Sequence, residues 1–212
     1  MLDAFVHLYV PPPGDSRDTL LLLHGTGGDE HDLLQMGAHL GNGSGLLSPR
    51  GKVLESGMPR FFRRLAMGVF DIEDLKYRTH ELARFVQTAA QHYGFDPDKV
   101  TALGYSNGAN IAAALLLLHP RVLAGAVLLR PMVPLVPDLL PDLNSVPVFI
   151  AGGRRDPIVT PEQTGKLAEL LRQAGAEVDV HWSQAGHELG AGELTQVKEW
   201  LKRTPIDAAR RA

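Results

Sequence analysis

One serine lies in a sequence context that could make it a nucleophile. The pentapeptide Gly104-Tyr105-Ser106-Asn107-Gly108 follows an apolar run of strand length and opens a helix-like segment. On a sharp strand-to-helix turn the serine hydroxyl is held outwards, and the flanking glycines let the turn pack closely. The helix N-terminus adds partial positive charge where an oxyanion would form. The pattern predicts a nucleophilic Ser106; the alternative is a Gly-rich helix start in which Ser106 is only the N-cap.

Two later loops could supply the acid and the base that such a serine needs near neutral pH. For a serine on this kind of turn, the partners follow in the order Asp or Glu and then His. Asp156 comes directly after a predicted strand at 146–151, in a turn that glycines loosen and a proline stiffens. His187 follows an alternating segment at 177–182 and precedes the last predicted helix. The order and spacing therefore favour Asp156 and His187 as the partners of the serine.

Other residues could fill these two positions. Asp138 and Asp142 lie in an irregular, Pro-rich segment rather than directly after a strand, and His181 falls inside the alternating segment. Asp156 taken alone could be an ordinary turn aspartate, and His187 could be a surface histidine. The agreement of three separate signals in one order is what favours the catalytic interpretation.

A Gly-rich loop at 24–30 follows the buried strand predicted at 19–23. Such a loop can direct a backbone N–H at the site, and an oxyanion hole needs two such donors, one of them from the residue after the nucleophile. We assign the backbone N–H groups of Thr26 and Asn107 to this role. The loop fits neither the dinucleotide-binding nor the P-loop pattern, and no histidine pair has the tight spacing of a metal-binding helix. We therefore expect neither a cofactor nor a metal.

Composition excludes several other classes. The 212-residue chain has a net charge of −3 and no cysteine, so we expect no nucleic-acid partner, no disulfide, no thiolate metal site and no cysteine nucleophile. The longest apolar runs, 111–118 and 122–129, have eight residues each, whereas a membrane span needs about 20. The N-terminal stretch lacks the basic region of a signal peptide. A cytoplasmic protein without membrane contact is the expectation.

Strand-like runs alternate with helix-like segments along the chain. Strands are predicted at 5–10, 19–23, 45–48, 99–103, 125–129, 146–151 and 177–182. Helices are predicted at 71–93, 107–118, 161–174 and 193–201. This alternation indicates an α/β fold with a mostly parallel central sheet and helices on both faces. Because no shift in composition marks a second domain or a cap, we expect one domain at 1–204 and a frayed tail at 205–212.

These motifs together resemble the phospholipase/carboxylesterase group of α/β-hydrolases, small lid-free esterases that include acyl-protein thioesterases and hydroquinone-type bacterial carboxylesterases. The matching pieces are HGTGGDE at 24–30, SPRG at 48–51, GYSNG at 104–108, GGRRDPIV at 152–159 and AGHEL at 185–189. The resemblance implies a catalytic triad of Ser106, Asp156 and His187, with Thr26 and Asn107 as the oxyanion hole. Thioesterases of this group usually carry Gln where this chain has Asn107. The group often forms dimers, so the resemblance also suggests a homodimer, although no part of the sequence indicates an interface.

The wall of the substrate pocket is the least constrained part of this interpretation. Phe61 and Phe62 lie between an early strand and the long helix, and Met132 and Leu189 follow later strands. These four side chains are predicted to line an apolar pocket. The nearby arginines, Arg60, Arg63 and Arg64, could stand at its rim; the alternative, which we favour, is that they are solvated.

The sequence thus predicts a serine carboxylesterase that acts on small or short-chain esters. A thioesterase or lysophospholipase would use the same three residues. A ligand-binding protein of the same fold that has lost turnover is a further alternative, although it would not need to retain all three. A role like that of dienelactone hydrolase is less favoured, because its nucleophile is a cysteine and this chain has none.

Overall fold

The computed structural model describes residue 2 and residues 5–204. Eleven strands and five α-helices occur within them. The strands are β1 (His7–Val10), β2 (Thr19–Leu23), β3 (Gly45–Pro49), β4 (Val53–Glu55), β5 (Met58–Arg60), β6 (Arg64–Ala66), β7 (Val69–Phe70), β8 (Val100–Tyr105), β9 (Gly125–Leu129), β10 (Pro147–Gly153) and β11 (Glu177–Ser183). The helices are α1 (Leu34–Leu40), α2 (Ile72–Tyr93), α3 (Asn107–Leu118), α4 (Pro161–Gln173) and α5 (Ala191–Arg203). The tail predicted at 205–212 lies outside the described residues.

Seven strands form one central sheet in the order β1-β3-β2-β8-β9-β10-β11. Strand β1 pairs antiparallel with β3, and every other neighbouring pair in this sheet is parallel. Strands β2, β3, β9 and β10 are buried at every position, because helices cover both faces of a parallel sheet. That burial explains why these strands read as continuous apolar runs in the sequence.

The two faces of the sheet carry separate hydrophobic layers. In β2, Leu21 and Leu23 point into a layer that α2, α3 and α4 complete, whereas Leu20 and Leu22 point into a layer under α1 and α5. Successive side chains of a strand alternate between the faces, so one run of leucines serves both layers. Helix α3 is buried along almost its whole length, which explains why its sequence has no polar face.

Two parts of the chain were not predicted from the sequence. Helix α1 has seven residues, no acidic residue in its first turn and no side chain that caps it, so the usual start signals are missing. Between β3 and α2, strands β4 and β5 form one hairpin and β6 and β7 form another. Strands of two or three residues are too short to show an alternating pattern.

The architecture confirms the predicted fold class of a mostly parallel sheet with helices on both faces. Among residues 5–204 no separate cap domain covers the sheet, and only the two hairpins stand between β3 and α2. Among the described residues, every helix is too short or too polar to span a lipid bilayer. The carboxyl ends of β2, β8, β10 and β11 lead into the loops that carry the candidate site residues.

Candidate active site

Ser106 occupies a sharp turn between β8 and α3. Its backbone has φ 52° and ψ −112°, a strained combination for a residue other than glycine. The Ser106 N–H donates to the Leu129 carbonyl at 2.8 Å, which ties the turn to β9. A Cβ atom at Gly104 would lie 2.5 Å from the Gly108 carbonyl oxygen, and one at Gly108 would lie 1.9 Å from the Leu23 oxygen. Both glycines are therefore required by close packing around the serine.

His187 lies between Ser106 and Asp156. Its Nε2 atom is 2.9 Å from Ser106 Oγ, and its Nδ1 atom is 2.7 Å from Asp156 Oδ2. The Asp156 side chain has no exposed surface, whereas 17% of the His187 side chain is exposed. The three groups form a continuous hydrogen-bonded chain from a buried carboxylate to a hydroxyl.

The carboxylate of Asp156 is oriented by its own loop. Its Oδ1 atom accepts hydrogen bonds from the backbone N–H groups of Ile158 and Val159, at 2.8 and 2.9 Å. The other oxygen is thereby left for the His187 ring. An aspartate that carries a hydrogen-bonded imidazole on one oxygen fixes the tautomer of that imidazole, so the second ring nitrogen faces the serine as an acceptor.

Thr26 and Asn107 both line the cavity in front of Ser106. Asn107 is the first residue of α3, so its N–H has no helical carbonyl to bind. The side chains of both residues have other partners: Asn107 Oδ1 accepts from the Phe61 N–H at 2.8 Å, and Thr26 Oγ1 accepts from Arg60 Nη1 at 2.6 Å. The first bond attaches the loop between the two hairpins to Asn107, and the second attaches strand β5 to Thr26.

A buried histidine holds the loop that carries Thr26. His24 Nε2 accepts from the Gly51 N–H at 2.9 Å, and Nδ1 bonds the Gly25 carbonyl at 2.6 Å. This pairing requires a neutral ring that is protonated on Nδ1. Burial lowers the pKa of His24, although the hydrogen bond to Gly25 opposes that shift. The ring is therefore kept in the form that both bonds need.

The cavity has a volume of about 300 Å³ and opens directly beside the serine. It is lined by Thr26, Arg60, Arg64, Met67, Gly68, Phe70, Tyr105, Ser106, Asn107, Asn110, Met132, Ile158, Val159 and His187. Of the four predicted pocket residues, Met132 lies in this lining and Phe61, Phe62 and Leu189 do not. The apolar side chains in their place come from the β6–β7 hairpin and from the loop after Asp156.

Packing explains why the three other residues are elsewhere. The Phe61 ring lies 4.7 Å from the buried His24 ring, and the Phe62 ring meets Phe70 edge-on at 5.0 Å. Both phenylalanines belong to the core on the α2 and α3 side of the sheet. Leu189 packs against the opposite core, on the α1 and α5 side. An aromatic doublet near a site does not show from the sequence alone which ring, if either, faces the ligand.

The three arginines near the first hairpin have different surroundings. Arg60 is only 3% exposed, and Glu55 pairs with both Arg60 and Arg64, at 3.1 and 2.7 Å. Burial lowers the pKa of Arg60, and the charge of Arg64 lowers it further. Arg63 points away and pairs with Asp71 at 3.0 Å, and 61% of its side chain is exposed. The interpretation of solvated arginines is therefore correct for Arg63 and wrong for Arg60. Arg64 is intermediate, because 21% of its side chain is exposed and it lines the cavity.

Comparisons with known proteins agree with this architecture. Residues 66–193 match the dienelactone hydrolase family. The chain is 50% identical over 200 residues to MhqD of Bacillus subtilis, whose name describes a hydrolase, and the match covers 94% of this chain and 99% of MhqD. The crystal structure of a Bacillus cereus carboxylesterase superposes with a TM-score of 0.92 at 48% identity, over 95% of both chains. The structure of YahD with malic acid superposes with a TM-score of 0.90 at 30% identity, over 95% of this chain and all of YahD.

The matched residues include the turn that carries Ser106, and the chain has no cysteine there or elsewhere. The missing cysteine disfavours the activity of dienelactone hydrolase itself but does not exclude membership of its family. The fold is that of an α/β-hydrolase, as the superpositions show. The chain belongs to the dienelactone hydrolase family, and it is a small hydrolase of the carboxylesterase type.

Proposed function

We propose that the protein is a serine carboxylesterase that hydrolyses small or short-chain esters through Ser106, His187 and Asp156. The observation that carries this proposal is the hydrogen-bonded chain itself. Ser106 Oγ lies 2.9 Å from His187 Nε2, and His187 Nδ1 lies 2.7 Å from Asp156 Oδ2. Such a chain activates a hydroxyl for attack on a carbonyl carbon.

Acylation begins when His187 takes the hydroxyl proton as Ser106 Oγ bonds to the ester carbonyl carbon. Asp156 stabilises the imidazolium that forms. The backbone N–H groups of Thr26 and Asn107 bind the developing oxyanion. The loss of one such donor costs about 3–4 kcal/mol of transition-state stabilisation.

Acylation ends when the tetrahedral intermediate collapses and the bond between the carbonyl carbon and the leaving oxygen breaks. The alcohol departs with the proton from His187, and the acyl group remains as an ester on Ser106. Deacylation then uses the same groups. A water molecule then attacks that ester while His187 takes its proton, and the acid is released as serine regains its hydrogen. A covalent intermediate of this kind gives ping-pong kinetics.

The size of the cavity favours small substrates. Its volume of about 300 Å³ is at the lower end of the usual range for ligand pockets. Met67, Phe70, Met132 and Ile158 supply apolar surface for a short acyl or aryl group. A thioester could react in the same way, so a substrate panel has to separate the two classes.

The charge of the lining favours esters that also carry a carboxylate. Arg60 and Arg64 line the cavity, and no Asp or Glu is among its lining residues in the described chain. Glu55 pairs with both arginines, but its single negative charge neutralises only one of their two positive charges. An anionic group on the substrate would meet the remaining positive charge. The relative YahD was solved with malic acid, a dicarboxylic acid, which is consistent with this extension of the proposal.

The test is a panel of p-nitrophenyl esters from acetate to palmitate, with p-nitrophenyl hemisuccinate and a butyryl thioester added. We expect turnover of the short esters, a decline towards palmitate and a preference for hemisuccinate over butyrate. Ser106→Ala should abolish turnover, and Ser16→Ala, at an exposed loop serine, should not. Equal inertness of the wild type and Ser106→Ala across the panel would contradict the proposal.

A further inference from the structure

A buried arginine, Arg130, lies against the loop that carries His187. Arg130 follows β9 directly and has no exposed surface. Its φ of 57° is in the left-handed region, which residues with a Cβ rarely adopt. Its N–H donates to the Ala151 carbonyl of β10 at 2.9 Å. The backbone is thus held in an unfavourable conformation that directs a long cationic side chain into the protein.

The guanidinium group of Arg130 binds the two carbonyls that flank His187. Its Nε donates to the Gly186 carbonyl at 2.9 Å, and its Nη2 donates to the Glu188 carbonyl at 2.6 Å. The carbonyl of His187 itself accepts from the Tyr105 hydroxyl at 3.0 Å. Three successive carbonyls are therefore each bound by a side chain from the carboxyl ends of β8 and β9.

This arrangement adds to the sparse backbone pairing of the loop, in which the Arg155 N–H donates to the Ala185 carbonyl at 3.1 Å. Residues 184–190 belong neither to β11 nor to α5, so no strand or helix ladder fixes the position of His187. The imidazole must nevertheless keep Nε2 at the serine and Nδ1 at the aspartate. In this loop, the planar fork of an arginine can bind two carbonyls at a fixed separation, which a flexible ammonium cannot.

Glu193 in the first turn of α5 holds the guanidinium in place. Its two oxygens lie 2.6 and 2.8 Å from Arg130 Nη1 and Nη2. One of them also accepts from the Gly190 N–H at 2.9 Å. Burial alone would raise the pKa of Glu193, but the hydrogen bonds from Arg130 and Gly190 lower it overall. The pair is therefore ionised, and it joins α5 to the histidine loop.

The arginine does not hydrogen-bond the carboxylate of the proposed triad. Arg130 Nε is 3.9 Å from Asp156 Oδ2, beyond hydrogen-bond range. Its hydrogen bonds go to the Gly186 and Glu188 carbonyls, to Glu193 and, at 3.3 Å, to the Ala151 carbonyl, whereas its link to the Asp156 carboxylate is a longer ion pair. A role that acts through the position of His187 follows from these contacts.

We propose that Arg130, held by Glu193, is a positioning residue that fixes the loop carrying His187 and thereby keeps the imidazole aligned between Ser106 and Asp156. This inference rests on the proposed function, because it assigns a task within the same triad. A misplacement of about 1 Å in such a group can cost about 10²-fold in rate. The pair should therefore affect kcat far more than KM, since neither residue lines the cavity.

The test compares Arg130→Lys, Arg130→Met and Glu193→Gln with Arg172→Met as a matched control. Arg172 also donates to a backbone carbonyl, that of Val178 at 2.9 Å, but on the exposed side of α4. For a short p-nitrophenyl ester we expect kcat to fall roughly 10- to 100-fold in Glu193→Gln and further in Arg130→Met, with KM within about threefold of the wild type. Arg130→Lys keeps the charge and should recover part of the loss. Arg172→Met should leave both constants unchanged.

A second measurement separates positioning from folding and from the esterase assignment. Hydrogen–deuterium exchange should become faster in the peptide that covers 184–190 in Arg130→Lys and Glu193→Gln, while β8 and β9 keep their protection. Unchanged kcat and unchanged exchange in these two variants would overturn the inference. So would a loss of activity that only follows the fraction unfolded. If the wild type hydrolyses no ester, the proposed function fails, whereas the exchange experiment still decides whether the arginine orders the loop.

Discussion

Replacement of Asp156 by asparagine tests the orientation of the triad. The new amide cannot rotate freely, because Oδ1 accepts from the N–H groups of Ile158 and Val159 at 2.8 and 2.9 Å. Its oxygen must stay on these donors, so its NH₂ group points at His187 Nδ1. Two donors cannot face each other, and the imidazole must then carry its proton on Nε2 and present an N–H to Ser106. In that tautomer the ring cannot accept the serine proton.

The size of the effect follows from this forced tautomer. An aspartate-to-asparagine change that leaves the geometry intact and reverses the tautomer lowers kcat by about 10⁴-fold in a serine protease triad. That factor corresponds to about 5.4 kcal/mol of transition-state stabilisation at about 1.36 kcal/mol per tenfold change. Asparagine is close in shape to aspartate, so KM should change little.

The assay is hydrolysis of p-nitrophenyl butyrate at neutral pH by the wild type, Asp156→Asn and Asp138→Asn. Asp138, one of the two other aspartates considered from the sequence, is exposed, and its replacement should leave kcat/KM unchanged. A thermal unfolding curve for Asp156→Asn shows whether the variant is folded. If folded Asp156→Asn keeps more than about a tenth of the wild-type rate, or if Asp138→Asn loses as much activity, Asp156 does not set the tautomer of His187.

Three further predictions concern packing, charge and pH. Gly108→Ala should lower the melting temperature or prevent folding, because its Cβ would lie 1.9 Å from the Leu23 carbonyl oxygen of β2. Gly165→Ala in α4 meets open space and should stabilise the protein by roughly 1 kcal/mol. Thermal unfolding measures both variants, and an unchanged melting temperature for Gly108→Ala would show that this glycine is not required by packing. Arg64→Gln should lower kcat/KM for p-nitrophenyl hemisuccinate about tenfold relative to p-nitrophenyl butyrate. Arg63→Gln, at an exposed arginine, should leave this ratio unchanged. If Arg64→Gln lowers kcat/KM equally for both esters, the charge of Arg64 does not recognise the substrate carboxylate. Burial lowers the pKa of His24 below its usual 6.5, so below about pH 6.5 the unfolded state binds more protons than the folded state. The contribution of the neutral His24 ring to the stability of the fold is therefore present above about pH 6.5 and is lost as the pH falls. Urea unfolding at pH 7.5 and 5.5 should show a larger loss in the wild type than in His24→Gln, and identical losses would argue against this contribution.

The sheet could be predicted because burial on both faces leaves a simple signature. The leucine run of β2 and the segment of β9 have the same bounds in the prediction and in the structure. The hairpins between β3 and α2 could not be found in the same way, because their strands have two or three residues. In the second hairpin, Met67 and Phe70 line the cavity, and no period along the chain indicates this.

The residues of the candidate triad could be singled out because each follows a strand and the three occur in a set order. The positioning arginine gave no such signal: Arg130 ends an apolar run, and nothing local shows that it turns inward. Its burial is compensated by Glu193, 63 positions later, and by the Gly186 and Glu188 carbonyls, all of which are distant in the sequence. The orientation of the two phenylalanines was likewise hidden, since Phe61 depends on His24 and Asn107, which are distant in the sequence, and Phe62 packs against Phe70.

The proposed reaction passes through a covalent acyl-enzyme on Ser106, which mass spectrometry can detect. The wild type is mixed with a slowly deacylating ester or a fluorophosphonate, quenched rapidly with acid, and analysed as intact protein and as peptides. We expect one adduct per chain, on the peptide that contains Ser106, and none on Ser106→Ala. Turnover without an adduct at Ser106, or an undiminished adduct on Ser106→Ala, would rule out this mechanism.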